Sequence, residues 1–599
     1  MLKNLKELYN LLTSQQRKKL LLLQILVILM AIVEVASVLA IGPFMALVGD
    51  IGQLERDGIL ARVYELTGIS TPADFLVLVA LFALATLTLA AAISTYTVWQ
   101  LSMYGNRVGA ELSNRLYKYY MYQSWLFHVA TNSSQLTNRI SRESQRITGG
   151  IINPLMQMNA KLVMAMAMAA AIFIYNPVVA FTGIAVFSGA YWVLYKTVRR
   201  SLAKNGTQIS RQEELRFRLM SEGFGGIKDI RLLGRQEHFV QRFAKASDQV
   251  AYATGNIQVL GQAPRYAMEL IAFGTIIFLL LYLLLTHHGN LGTILPVLSV
   301  YAIAGFKLLP AFQQIYGSVS SIRGNLPGFE TLHDDLRNSL SFTYPATSGA
   351  AEAHHAPDTS IRLCKITFRY PGAHRKALDH LSVEIPANQV IGLVGASGSG
   401  KSTTIDILLG LLTPDSGQIL VDGKPLEPGN LRAWQNSLGY VAQSIYLADA
   451  SIRHNIAFGL PESEIDSERV SRAATLAHLN ELLEQLPDGL DTTVGERGVQ
   501  LSGGQRQRIG IARALYHDAD VLIFDEATSA LDGITEKLIM DAIHDFSGKK
   551  TIVLIAHRLG TVRKCDCIYM LTQGRVVDCG TYDELIGRNP LFRQMADIS

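Results

Sequence analysis

The chain of 599 residues exceeds one ordinary domain, and 49% hydrophobic against 17% charged residues lies well under the roughly 25% charge of a soluble domain. A net charge of +4 over that length supplies no clustered basic face, so nucleic acid is excluded as an expected partner. The four cysteines, Cys364, Cys565, Cys567 and Cys579, match neither a zinc spacing nor a disulfide framework and fit a reduced, cytosolic domain.

Uncharged or nearly uncharged runs fall at about 20–48, 75–104, 148–175, 177–195, 268–287 and 292–316. Crossing a bilayer takes roughly 20 apolar residues, so these runs predict six transmembrane helices in a membrane domain covering 1–338. Glu34, Lys161 and Lys307 are isolated charges within them. Tyr175-Asn176-Pro177 reads as a tight turn between the third and fourth spans, and His287–Asn290 as a break between the fifth and sixth. The first run is too long for a cleaved signal peptide and lacks a small-residue cleavage pattern.

Basic residues set the expected orientation. Arg17, Lys18 and Lys19 precede the first span, and Arg107, Arg115, Lys118, Arg139, Arg142 and Arg146 lie between the second and third. Lys196, Arg199, Arg200, Lys204 and Arg211 follow the fourth, whereas Asp50, Glu55 and Asp57 lie on the opposite side. Both termini are therefore expected in the cytoplasm. The long basic connections hold good helix formers without proline, which predicts membrane helices that continue into the cytosol. Gln53–Leu66, on the outer side, has the apolar spacing of a short surface helix, and an ordered loop fits it equally.

A Ser/Ala/Thr/Pro/Gly-rich stretch at about 339–360 reads as a linker, and alternating strands and helices fill 361–599. An apolar strand at 389–394 runs into Gly395, Ala396, Ser397, Gly398, Ser399, Gly400, Lys401 and Ser402, with Thr403 opening the next helix. This is the pattern of a phosphate-binding loop: glycines turn N–H groups inward, Lys401 reaches the terminal phosphates and the Ser402 hydroxyl binds magnesium. ATP and Mg2+ are the expected cofactors. The run Val521–Glu526 ends an apolar strand in two acids, which puts Asp525 beside the magnesium and Glu526 where it orients or deprotonates the attacking water. Ser502, Gly503, Gly504 and Gln505, small or polar residues directly before a helical run, form a second anion site.

A second phosphate site has no use within one such domain, and here the sequence resembles the ABC transporter family, in which LSGGQ (501–505) binds the nucleotide held by the opposite subunit. The resemblance covers 361–598 and carries further roles with it. Tyr370 in FRYP resembles the aromatic residue that stacks on adenine, and Gln443 in YVAQ the glutamine that senses magnesium and the membrane domain. Asp532 in SALD resembles the D-loop aspartate, His557 in IAHR the switch histidine at the γ-phosphate, and TTVGERG (492–498) the exporter-type segment before the signature. Six spans before such a domain resemble the exporter type: an all-α six-helix membrane domain fused to an α/β P-loop nucleotide-binding domain. With every catalytic position intact, the resemblance implies a homodimer with two working sites. It also implies transverse helices near Trp125–Gln135 and Phe224–Leu232.

For the substrate, GFGGIKDIRLLGR (223–235), RYAMELIAFG (265–274) and SLGYVAQSIYLADASIRHNIAFG (437–459) resemble bacterial flippases of lipid-linked oligosaccharides that serve protein N-glycosylation. The implied cargo is a polyprenyl-pyrophosphate oligosaccharide moved to the outer leaflet of the bacterial inner membrane. Arg265 and Lys307, at membrane depth, are candidate ligands for its pyrophosphate, although Arg265 also stands i, i+4 from Glu269 and Lys307 is long enough to snorkel. A lipid A or multidrug exporter, and an ATP-gated channel or regulator, remain the alternatives.

Overall fold

The structure, a computed structural model, describes all residues except 1, 50, 56–57, 70, 176, 287–290, 345–353, 496–497, 499–500, 527–532, 534–535, 538–539, 542–545, 557 and 599. It divides into a helical unit, Met1–Gln123 with Phe127–Tyr344, and a second unit, Pro345–Ser599 with Ser124–Leu126. The sixth long helix ends at Ser341 and the first strand begins at Ser360, on either side of the stretch read as a linker.

Among the described residues the first unit is built on six long helices along the predicted spans, with a further long helix, Gln236–Gln262, between the fourth and fifth. The first, Ser14–Leu39, starts on a reciprocal cap: Thr13 Oγ1 accepts from the Gln16 backbone, and the Gln16 side chain accepts from the Thr13 N–H at 2.8 Å. The predicted span 20–48 is not one helix. It stops at Ala40 and resumes as Ile41–Gly49, with Pro43 in the first turn, where a proline costs no backbone bond. The second helix, Pro72–Met121, carries proline at its start behind the N-cap Thr71. Its 50 residues give a rod of about 75 Å, far beyond the ~30 Å bilayer core, so it continues past the membrane as the sequence indicated. Three stretches among the described residues, Ser14–Gly49, Pro72–Met121 and Ser133–Ile174, are long and apolar enough to cross a membrane.

The third helix reaches Tyr175 through two π-helical turns, Arg139–Glu143 and Thr148–Ile152. Between them Arg146 gathers a network. It donates to Glu143 at 3.0 Å, to Ser210 Oγ on the fourth helix (Pro177–Gly225) at 2.6 Å and to Asn325 on the sixth (Leu291–Ser341) at 3.2 Å. Glu213, 2% exposed, joins through Arg142 and Arg216, both at 3.1 Å. Helix Gln236–Gln262 leads into the fifth long helix, Pro264–Thr286. The short helices Trp125–Ala130 and Ile227–Leu232 stand where transverse helices were expected. On the predicted outer side the surface segment forms a 3-10 turn, Ile51–Glu55, and a helix, Ile59–Thr67, which packs Leu60 and Tyr64 toward Phe75 and leaves Ile59 and Leu66 exposed.

The second unit has two sheets. The strands β1 (Ser360–Phe368), β2 (Leu378–Pro386), β4 (Ser416–Val421) and β5 (Lys424–Pro425) form an antiparallel sheet in the order β2-β1-β4-β5. The larger sheet runs β10-β9-β3-β8-β7-β6, with β3 (Val390–Val394), β6 (Leu438–Val441), β7 (Val521–Asp525), β8 (Thr551–Ile555), β9 (Cys567–Thr572) and the antiparallel edge β10 (Arg575–Gly580). Every residue of β3 and β8 is buried, as a central parallel strand covered on both faces requires. Since β3, β8 and β7 lie side by side and parallel, the loops after β3 and β7 open on one edge, the carboxyl edge where such sheets bind ligands.

Candidate functional site: a nucleotide-binding ATPase centre

The loop after β3 is shaped by two glycines that no other residue replaces cheaply. Gly395 has φ +150°, and a Cβ there would lie 2.3 Å from the Leu571 carbonyl oxygen. Gly400 has φ +106° and would meet Leu378 Cδ2 at 2.8 Å. Between them Ser397 and Gly398 face solvent, and among the described residues the buried Ser399 hydroxyl has no hydrogen-bond partner. Lys401 is 5% exposed, and its ammonium donates to the carbonyls of Gly395 at 2.7 Å and Ala396 at 3.1 Å. Burial pushes its pKa down, while the nearby Glu526 and Asp525 carboxylates oppose that. A loop shaped by glycines, a buried cation and an unmet hydroxyl fit a phosphate chain.

Ser402 opens helix Lys401–Leu408 with its side chain exposed, and Thr403, buried behind it, meets Tyr370 Oη at 3.2 Å. Tyr370 also stacks edge-on against Phe368 at 5.1 Å. At the end of β7, the Asp525 carboxylate is approached by the Tyr440 hydroxyl at 3.4 Å. Glu526 follows with φ +51°, a left-handed conformation held by its N–H to the Ile555 carbonyl at 3.1 Å. Its carboxylate accepts from Gln443 Nε2 at 2.7 Å, so Gln443 and Glu526 form one hydrogen-bonded pair. The oxygen donors that Ser402, Gln443 and Asp525 provide suit a hard cation such as Mg2+ completed by phosphate oxygens.

Ser502 caps helix Gly503–Tyr516: its hydroxyl accepts from Gln505 N, and its own N–H donates to Gln505 Oε1 at 2.7 Å. Gly503 and Gly504 form the first turn. Among the described residues no hydrogen bond joins this turn to the loop after β3. Gln507 on the same helix donates to the Glu526 carbonyl at 3.3 Å, a tie that the sequence did not reveal. Asp532 and His557 lie outside the described residues.

The candidate substrate cations are already partnered. Arg265 Nε donates to Glu269 at 2.7 Å, the i, i+4 pairing that the sequence offered as the alternative to ligand binding. Lys307 Nζ meets Glu34 at 2.7 Å, a partner that the sequence did not suggest, and the other Glu34 oxygen accepts from Ser94 at 2.6 Å. The structure therefore does not bring Arg265 and Lys307 together as a bare cationic pair.

Family models of the ABC transporter and of the ABC transporter transmembrane region match residues 378–529 and 20–306. The ATP-dependent lipid A-core flippase of Shewanella oneidensis is 30% identical over 513 residues, 84% of this chain and 82% of that protein. The heterocyst differentiation ATP-binding protein HepA of Nostoc sp. is 31% identical over 495 residues, 81% of this chain and 78% of its own. The structure of a bacterial Atm1-family ABC exporter with ATP bound superposes with TM-score 0.79 over 98% of this chain and 99% of that one, at 24% identity, which shows the shared fold. The chain belongs to the ABC transporter family, as an ATP-driven exporter whose ATPase domain and membrane domain share one polypeptide.

Proposed function

We propose that two copies of this chain form a flippase that moves a phosphorylated glycolipid from the inner to the outer leaflet of the bacterial inner membrane. In this reading Lys401 holds the terminal phosphates of ATP, Ser402, Asp525 and Gln443 hold Mg2+, and Glu526 takes the proton of the attacking water. Ser502–Gln505 of one copy close over the nucleotide of the other, with Tyr370 on its adenine and Asp532 and His557 completing the site. ATP favours the closed pair, and hydrolysis releases it, so the membrane helices shift between two populations. The Gln443–Glu526 pair at 2.7 Å is the observation that carries the ATPase chemistry.

A second copy is favoured by the connection after the fourth helix, where Phe224, Ile227, Leu232 and Leu233 are 76%, 48%, 78% and 70% exposed. A glycolipid cargo is favoured twice. The segments 223–235, 265–274 and 437–459 resemble lipid-linked oligosaccharide flippases, and several similar proteins carry the name lipid A-core flippase. Both cargoes are long-tailed lipids with phosphate and sugar in the head. The test is flipping in proteoliposomes, with a polyprenyl-pyrophosphate oligosaccharide and lipid A as parallel cargoes and Glu526→Gln as the control. Movement of either by the wild type alone supports the reading and names the cargo. Steady ATP hydrolysis with neither lipid moved, nor the hydrolysis stimulated by either, refutes it.

A further inference from the structure

A cavity of about 660 Å³ opens in the helical unit among the fourth, fifth and sixth long helices and helix Gln236–Gln262. Its volume falls within the roughly 300–1,000 Å³ of small-molecule sites. Tyr191, Tyr316 and Ser320 line it; among the described residues the buried Tyr191 hydroxyl has no hydrogen-bond partner, while the Tyr316 and Ser320 hydroxyls bond each other and keep donor and acceptor capacity to spare. Tyr316 is 5% and Ser320 1% exposed, and the Tyr191 and Tyr316 rings pack 5.3 Å apart, so neither phenol swings freely to water. Buried hydroxyls are rarely left unmet, and where they are, a ligand or water completes them. Gln258, Gln262 and Gln313 add amide donors and acceptors to the same lining.

Charge is balanced here. Arg265 at the rim is paired with Glu269, and Lys307, two turns along the sixth helix from Gln314 of the lining, is paired with Glu34. What the cavity offers unspent is a set of neutral groups that both donate and accept, which is the complement of sugar hydroxyls rather than of phosphate. Resting on the flippase reading above, we infer that this cavity selects the sugar of the lipid head by neutral hydrogen bonds, and that Arg265 does not grip the phosphate. Removing a hydroxyl from the site then weakens sugar-bearing lipid alone, because a sugarless lipid phosphate never made that bond. Water filling alone would make the same substitutions indifferent to the sugar.

The experiment uses the full chain in proteoliposomes and reads the lipid concentration that half-stimulates ATP hydrolysis. The probes are a polyprenyl-pyrophosphate oligosaccharide and lipid A, each set against a sugarless phosphate, polyprenyl pyrophosphate or phosphatidic acid. The wild type is expected to need about 10-fold less or better of a sugar-bearing lipid. Tyr191→Phe and Tyr316→Phe keep the rings and are expected to raise that concentration ~3- to 10-fold per hydroxyl, with the sugarless probe unmoved. Gln313→Leu gives an independent reading should the phenylalanine variants fold poorly. The double substitution Arg265→Gln with Glu269→Gln is expected to leave the sugar selectivity as it is. Equal shifts for both probes, or a wild type that is stimulated without distinguishing them, overturn the inference while the flippase stands. A wild type that hydrolyses ATP but responds to neither glycolipid overturns the flippase reading and the inference with it.

Discussion

Removing Lys307 should harm the membrane domain more than removing the charge it pairs with. The Glu34 side chain is 10% exposed and that of Lys307 36% exposed, and they meet at 2.7 Å. Lys307→Met leaves a buried carboxylate that keeps the Ser94 hydroxyl as a donor, a loss of about 3–5 kcal/mol for an uncompensated buried charge. Glu34→Gln leaves an ammonium on a half-exposed stem long enough to snorkel toward the head groups, so its cost should be nearer ~1–2 kcal/mol, close to one lost charged hydrogen bond. Replacing both, Glu34→Gln with Lys307→Met, removes the charge altogether and should recover about 1–2 kcal/mol of the Lys307→Met loss, a coupling of about 2–4 kcal/mol. Equilibrium unfolding of the four proteins in one detergent at pH 7.5 measures the cycle. Additive single effects, or a Glu34→Gln variant weaker than Lys307→Met, would refute the assignment of a buried ion pair.

Other outcomes follow from the second unit. Glu526→Gln should lower ATP turnover by roughly 10²–10⁴-fold while nucleotide is still retained, because the amide preserves the contact with Gln443 but takes no proton; phosphate release and bound-nucleotide assays separate the two. Gly395→Ala puts a Cβ 2.3 Å from the Leu571 oxygen at φ +150°, so it should cost about 1–3 kcal/mol or more and abolish nucleotide retention, read by melting with and without Mg2+ and ATP. Burial pushes the Cys565 thiol up to about 12 from an ordinary 9.0, whereas Cys579 is exposed. At pH 8 iodoacetamide should therefore modify Cys579 and spare Cys565 until the domain unfolds. The unfolded thiol ionises first, so this residue's contribution is intact below about pH 9 and falls as pH rises toward 12.

The ATPase centre was legible because its chemistry is local. The loop Gly395–Ser402, the acids after β7 and the capped turn at Ser502 are each contiguous, and the strand or helix beside each shows in the apolar pattern. Arg265 with Glu269 was legible for the same reason, since four residues on a helix is one turn. Lys307 and Glu34 stand 273 residues apart, and no periodicity links them. The π-helical turns around Arg146 leave no mark in the sequence pattern, whereas the break at Ala40 falls where Pro43 has no N–H to give the Leu39 carbonyl. Nor does a sequence announce that Glu526 takes a left-handed backbone, because the Ile555 and Gln507 contacts on its main chain come from distant parts of the sequence.

Ser502 and Gln507 ride on one continuous helix, five residues or about 7.5 Å apart. One end is the cap that would meet a partner's nucleotide in the proposed pair; the next turn holds the main chain of Glu526. A rigid rod cannot move its tip without moving its shaft. On the two-copy reading proposed above, ATP held against the cap would therefore bear on the Glu526 main chain of the same copy, and one helix would link the two centres. Cutting that tether with Gln507→Leu should leave each centre able to bind ATP but flatten the cooperativity of its hydrolysis.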